Sequence, residues 1–369
     1  MPRSLERVAL VSPYALSVPG GTQSQVRGMA KDLAARGMDV VVCSPGAVDE
    51  GLVAAGVAHA AVGSVLAVPA NGSRAPVTLS PSAARTFASI VSTLRDGVVH
   101  VHEPFAPVAA YGILREHRQP VVATFHRGDG GPAYVAARPL IRRLSRGIDA
   151  AAAVSNHAAE TIFAAAGIRT EVLFNGFEVD LIRSAVPTPS KAPAVLFVGR
   201  HEERKGLGVL LDAFSAIDLP IECWVLGEGP LTAQLSRRHA ADRRITWLGA
   251  QPDDEKFARL RGADVLCVPS LRGESFGLVP LEGMAAGTAV VASDIPGYRE
   301  ATAGHATLVA PGDASALAAA LRAAIERPAT KKVLDAARAH AARWSMHALV
   351  ERYLDLYAQA AQRFDGQRR

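Results

Sequence analysis

Two glutamates eight positions apart, Glu274 and Glu282, stand in the stretch PSLRGESFGLVPLEGMAAG, residues 269–287. The apolar run before it, residues 263–268, reads as a buried strand. Leu278–Ala286 reads as a helix with Pro280 in its first turn, where the missing N–H costs nothing. A helix N-terminus beside a loop with free N–H groups suits an anionic ligand. A carboxylate in the same place repels phosphate but accepts hydrogen bonds from sugar hydroxyls. The pairing points to a sugar joined to a phosphate, although the same pattern also fits a solvated loop before an ordinary helix. Company decides between them. Earlier in the same half stands GRHEERKG, residues 199–206, with Arg200 leaving a strand end and Lys205 where the next helix begins. Arginine can grip phosphate oxygens bidentately and lysine adds a point charge, so the two suit a diphosphate. Together the motifs describe a nucleoside-diphosphate sugar lying on the second half of the chain.

The first half offers a different set. Residues 8–12 form a short apolar run, followed by Pro19-Gly20-Gly21-Thr22-Gln23 and a helix-spaced segment at 24–36 that stops at Gly37. Paired glycines let a ligand approach the backbone at a helix N-terminus. This is not the Gly-x-Gly-x-x-Gly fingerprint, which disfavours a nicotinamide or flavin cofactor. Further apolar runs end in His102-Glu103-Pro104, in His126 and in Ser155-Asn156. In parallel α/β sheets ligands lie at the carboxyl ends of strands. A single strand-end histidine more often makes a structural hydrogen bond; several polar strand ends together indicate a cleft.

The elements needed to position these residues follow from the rhythm of the chain. At 369 residues, 49% apolar and 20% charged, it suits two domains with sizeable cores. Strands alternate with helices in both halves, so the expected fold is α/β, two Rossmann-like doubly wound domains facing each other across a cleft. A proline-rich polar segment, residues 186–193, reads as the linker. The expected boundaries are 1–170 for an acceptor-binding domain, 171–344 for a nucleotide-sugar-binding domain and 345–369 for a C-terminal amphipathic helix returning to the first domain. Positions 1–170 hold 16 basic and 11 acidic residues, and the rest 24 of each, so the net charge of +5 sits in the first half. Such an excess could favour an anionic membrane surface or an acidic acceptor. Cys43, Cys223 and Cys267 lie in separate apolar runs, with neither disulfide nor metal-ligand spacing. The polar start and the lack of an 18-residue apolar run lead to the expectation of a cytoplasmic protein, in peripheral contact at most with the inner face of the cell membrane. Aromatics at 5%, not interleaved with basic residues, give little support to nucleic-acid binding.

Taken together, these residues resemble the retaining glycosyltransferases of GT-B fold, family four, over nearly the whole chain. Residues 269–300 resemble the family's E-x-S-F-G-x-x-x-x-E region, and GRHEERKG its G-R-x-x-x-x-K-G loop. SPYALSVPGGTQSQV, VHVHEPFAP and ATFHRGD look most like the mycobacterial phosphatidylinositol mannosyltransferases. The resemblance implies a GDP-mannose donor, a phosphatidylinositol acceptor, peripheral membrane association and no tightly bound cofactor or required metal. Carried over by position, it implies catalytic roles for His126, Arg200, Lys205 and Glu274. Gly21 would abut the diphosphate and His126 would contact the transferred sugar. Arg200 and Lys205 would hold the diphosphate, Glu274 within Glu274-Ser275-Phe276-Gly277 the sugar hydroxyls, and Glu282 the ribose. Tyr14, Gln23 and Asn71 match positions placed near the inositol acceptor.

The chain departs from that pattern at the acceptor. Ala70 replaces an aromatic residue in the loop around Asn71, and Arg127-Gly128-Asp129 follows His126 in place of small hydroxyl residues. The helix near 82–94 carries only Arg85 where the mycobacterial enzymes are lysine-rich; basic residues gather instead at Arg138, Arg142, Arg143 and Arg146. The alternatives are the same chemistry on a soluble acceptor such as a sugar phosphate, a UDP-sugar epimerase, and a non-catalytic sugar-nucleotide-binding scaffold.

Overall fold

The computed structural model describes residues 5–18, 20–70, 73–94, 96–106, 109–126, 136–272, 274 and 277–367. It divides into two units, Met1–Gly176 with Met346–Arg369, and Phe177–Ser345. Each is built on one open parallel sheet.

The first unit runs β1 (Arg7–Val11), α1 (Gly21–Ala35), β2 (Asp39–Ser44), α2 (Glu50–Ala54), β3 (Ala58–Ala61), β4 (Leu66–Ala70), β5 (Ser73–Val77) and α3 (Pro81–Ser92). It continues β6 (Gly97–His102), α4 (Tyr111–Glu116), β7 (Val121–Phe125), α5 (Arg138–Leu144), β8 (Ala150–Ala153), α6 (Asn156–Ala166) and β9 (Glu171–Val172). The sheet order is β3-β2-β1-β6-β7-β8-β9, all parallel, so the winding reverses between β1 and β6. That reversal is where doubly wound sheets open a crevice beyond the strand ends. Side chains alternate across the pleat. Val8, Leu10, Val98 and Val122 face one core with Met29 and Leu33 of α1. Ala9, Val11, Val99, Val101 and Phe125 face the other, with Phe87, Ile113, Ile141 and Ile162 from α3 to α6. β4 and β5 form an antiparallel hairpin outside the sheet. It is tied to the segment after β1 by a Tyr14–Val77 bridge and by the Ala15 N–H donating to the Pro76 carbonyl, 2.8 Å.

The C-terminal helix, Met346–Gln367, belongs to this unit. Leu349, Val350, Tyr353, Leu356, Tyr357, Ala360 and Phe364 recur at helical spacing and are buried, most of them against the α1 face of the sheet. Each large apolar side chain buried there is worth roughly 2 kcal/mol as an upper figure, so the helix is integral to the unit's core.

The second unit runs α7 (Val179–Ser184), β10 (Ala194–Val198), α8 (Leu207–Ser215), β11 (Glu222–Leu226), α9 (Thr232–Arg238), β12 (Ile245–Gly249), α10 (Asp253–Gly262) and β13 (Val265–Val268). It continues α11 (Leu278–Ala286), β14 (Ala289–Ser293), α12 (Pro296–Thr302), β15 (Thr307–Val309), α13 (Ala314–Glu326) and α14 (Lys331–Ala342). Its sheet order is β12-β11-β10-β13-β14-β15, again parallel, reversing between β10 and β13. The loops bearing the two candidate motifs leave these adjacent strands.

The proline-rich segment at 186–193 is not a free linker. Thr188 N–H donates to the Ala258 carbonyl of α10 at 3.0 Å, and Arg261 donates to the Ala185 carbonyl at 2.8 Å. Prolines forbid helix there, but the Thr188 N–H between two of them, and the Ala185 carbonyl just before them, found partners on a neighbouring helix. The three cysteines are buried free thiols, and burial pushes those of Cys43 and Cys223 up to about 12.

Candidate active site

The strongest constellation lies in the second unit. After β10 the chain makes a 3-10 turn, Glu203–Lys205, and enters α8 through Gly206. Gly206 holds φ +69°, and a Cβ there would collide with the Pro269 carbonyl oxygen. Only glycine lets these two loops touch. A second stitch is the Leu271 N–H donating to the Arg204 carbonyl, 2.7 Å. The arginine–lysine loop and the glutamate loop are thereby held as one surface.

On that surface Glu274 Oε1 meets Lys205 Nζ at 2.7 Å and Arg204 Nη1 at 2.9 Å. Glu202 bridges Arg204 Nε at 3.0 Å and Arg200 Nε at 3.1 Å. Three cations thus share two carboxylates, and Arg200 is the most exposed of the three. Beneath them Ser270 Oγ lies 2.7 Å from Tyr298 Oη and 3.4 Å from Glu274 Oε1. Burial and the nearby Glu274 charge push the Tyr298 phenol well above its usual range, so it stays a neutral hydrogen-bonding group. Gly277, φ +102°, starts α11 against the Tyr298 ring, where a Cβ would come within 2.7 Å of Cδ1. The arrangement offers hydroxyl-accepting carboxylate, phosphate-binding cations and a helix N-terminus on adjoining segments.

Glu282 sits on α11, away from the Lys205 cluster in its pairing. Its Oε1 accepts from Lys256 Nζ at 3.1 Å, and Lys256 also meets Asp253 at 2.9 Å. Burial alone would lower the Lys256 ammonium, but Glu282 and Asp253 outweigh it and raise it to about 12. Glu282 is therefore held in place by a cation through its Oε1.

The first unit supplies the other predicted residues. Gly21 opens α1 with empty space where a Cβ would stand, and Gln23 is buried with its amide over Gly20. Tyr14 stands beside the β4–β5 hairpin through its bridge to Val77. Tyr14 lies in the segment after β1, and Gly21 and Gln23 in the first turn of α1 that follows it; Asn71, like Ser275 and Phe276 in the second unit, lies outside the described residues.

His126 follows β7 beside the end of β6. Its backbone N–H donates to Glu103 Oε1 at 2.5 Å, and its Nε2 pairs with His102 Nδ1 at 2.9 Å. Glu103 is buried and holds φ +46°, a conformation costly for a non-glycine residue and typical of functional loops. Behind it lies a buried polar chain. His100 Nδ1 meets Tyr357 Oη at 2.8 Å, its Nε2 meets Thr124 Oγ1 at 2.7 Å, and Thr124 meets Tyr353 Oη at 2.9 Å. Desolvation drives His100 and His126 down to about 3 and His102 well below its ordinary value, so all three rings are neutral at physiological pH.

Sequence reading missed several of these partners. Arg204 adjoined Lys205 in a quoted motif, and His100 shares a strand face with His102 by their i, i+2 spacing, so both carried a signal. Ser270 and Tyr298 lay inside the quoted 269–300 stretch, and the tyrosines of the C-terminal helix on its apolar face, without their polar partners being foreseen; Lys256 carried no signal. Among the described residues no group of three or more His, Cys, Asp or Glu side chains is placed to hold a metal ion.

Comparison with known proteins sets this geometry in context. Residues 19–181 match the model of Glycosyltransferase Family 4, and residues 192–327 that of Glycosyl transferases group 1. The phosphatidyl-myo-inositol mannosyltransferase of Mycobacterium leprae is 36% identical over 92% of this chain and 94% of its own. Among solved structures, a glycosyltransferase from Rickettsia africae superposes with TM-score 0.77 at 20% identity, covering 96% of this chain and 98% of its own. HepE from Anabaena, solved in complex with UDP, superposes with TM-score 0.70 at 18% identity over 95% and 98%. These last two speak for the fold.

Proposed function

This chain belongs to glycosyltransferase family 4, and from that membership we propose that it is a retaining hexosyltransferase moving mannose from GDP-mannose to phosphatidylinositol. The observation that carries the reading is the preassembled cluster in which Glu274 spans Arg204 and Lys205 on two stitched loops. An incoming diphosphate takes over the cations, with Arg200 and Lys205 gripping it and Gly21 allowing its close approach. Glu274 then turns to the hexose hydroxyls, Glu282 takes the ribose, and Ser275, Phe276 and Gly277 complete the proposed donor-binding set. His126 contacts the transferred sugar as a neutral ring.

The reaction proceeds on one face. The bond from sugar C1 to the diphosphate oxygen breaks, the acceptor hydroxyl oxygen bonds to C1, and its proton passes to the departing phosphate. No protein nucleophile is required. Charge develops on the diphosphate, where Arg200, Arg204 and Lys205 stabilise it. Tyr14, Gln23 and Asn71 receive the inositol.

A lipid acceptor requires the protein to reach a membrane surface, and no helix among the described residues is long and apolar enough to cross one. Arg85, Arg115, Arg143 and Arg146 line a groove of about 1060 Å³ between α3, α4 and α5, over Tyr111, Leu114 and Leu144. Among the described residues none of these four arginines has a carboxylate partner, whereas Arg118 beside them pairs with Glu116. That groove supports peripheral contact with anionic lipid. The sparse charge of α3 itself, Arg85 alone, favours a second reading with a soluble acceptor such as a sugar phosphate. Thermal shift with GDP-, UDP- and ADP-sugars tests the donor: GDP-mannose should stabilise the chain most, and a preference for another base would overturn that assignment.

A further inference from the structure

Each ring nitrogen of His100 has a hydrogen-bond partner, but only one of His102 does. His102 Nδ1 faces His126 Nε2 at 2.9 Å, the two rings stack with centroids 5.2 Å apart, and His102 also stacks on His100 at 4.3 Å. His102 Nε2 is buried without a hydrogen-bond partner among the described residues. The peptide N–H of His126 is already committed to Glu103. Two facing imidazoles, both kept neutral by burial, can share only one proton across their contact.

That proton has two possible homes. If His126 donated from Nε2, His102 would carry its own proton on Nε2, burying an N–H with no acceptor. If His102 donates from Nδ1, its Nε2 is a bare lone pair and the orphan is an acceptor. Buried orphan donors are the rarer kind, and a lost donor bond leaves its full desolvation cost. The second arrangement obliges His126 to carry its proton on Nδ1.

We propose that His102 is a positioning residue that fixes the ring and tautomer of His126, so that His126 presents Nδ1–H as a hydrogen-bond donor to the substrate. This rests on the reading that His126 meets the transferred sugar. In that role His126 neither takes nor gives a proton during transfer. It offers a donor to a sugar oxygen, and His102, clamped between His100 and His126, sets its angle. The chain His100–Thr124–Tyr353 and the His100–Tyr357 bond give the stack a rigid back wall.

The test uses the full-length protein. In ¹⁵N-histidine spectra at pH 7.5, His126 should show a protonated Nδ1 and a bare Nε2; the opposite pattern overturns the proposal. In transfer assays His102→Leu should lower kcat roughly tenfold to a hundredfold with donor KM within about twofold, as expected when a contact is misplaced and not removed. His102→Asn, whose amide N–H can stand where Nδ1–H stood, should recover most of the loss. A folded His102→Leu with wild-type kcat overturns the positioning role. If His102→Leu does not fold, the wild-type tautomer and the Asn variant still decide. An inert His126→Ala would remove the sugar contact underneath, while the tautomer would still read the pairing by itself.

Discussion

Lowering the pH below about 6.5 should loosen the first unit. His100 and His126 are driven by burial from an ordinary value of 6.5 to about 3. Below pH 6.5 the unfolded chain binds a proton at each, and the native chain does not until about pH 3. Stability is therefore full above 6.5 and falls as pH drops through that window, by about 1.4 kcal/mol per unit for each histidine. At pH 5, one and a half units into the window, each costs about 2 kcal/mol, or about 4 kcal/mol for the pair. His102, held lower still, adds in the same direction, as does His59. A domain's whole stability is about 5–15 kcal/mol, so the effect is large. Urea unfolding at pH 7.5 and pH 5 measures it. The three tryptophans, Trp224, Trp247 and Trp344, all lie in the second unit, so their fluorescence follows that unit while far-ultraviolet dichroism follows both. The dichroism transition should gain an early phase at pH 5 that fluorescence lacks. Superimposable curves at the two pH values would refute the account of neutral buried histidines.

Three further outcomes follow from the geometry. Lys205→Ala and Glu274→Gln should each lower kcat/KM for the donor by roughly a hundredfold or more, measured by product formation: Lys205 places positive charge where the leaving diphosphate develops negative charge, and the ionised Glu274 is the charged acceptor for the hexose hydroxyls. Gly206→Ala should destabilise the second unit by about 1–3 kcal/mol in tryptophan-detected unfolding, since φ +69° and the Pro269 carbonyl both oppose a side chain; it should also weaken nucleotide binding by unpinning the loops. Replacing Arg85, Arg143 and Arg146 together with serine should abolish flotation with anionic vesicles at low salt, each arginine contributing about 1 kcal/mol, and leave neutral vesicles unaffected.

Much of this was legible in the chain. Alternating apolar runs and glycine-stopped helices announce two parallel α/β sheets, because burial on both faces makes strands continuous apolar runs. The two candidate motifs could be picked out because their members are close in sequence: Arg200 to Lys205, and Glu274 to Glu282. What stayed hidden depends on sheet order and long-range contact. His100 and Tyr357 are bonded across 257 positions, and Lys256 reaches Glu282 only once α10 and α11 are laid side by side. The segment at 186–193 misled because proline content predicts the absence of helix, not the absence of partners. Its Thr188 N–H was claimed by the Ala258 carbonyl of α10, which no local pattern reveals.

The claim at the centre is hexose transfer to an inositol lipid. Purified full-length protein incubated with radiolabelled GDP-mannose and phosphatidylinositol vesicles should yield an organic-soluble mannosylated lipid, with an α linkage retained from the donor and loss of product in Lys205→Ala. Donor consumption that labels only water-soluble acceptors, or an inverted linkage, would contradict it.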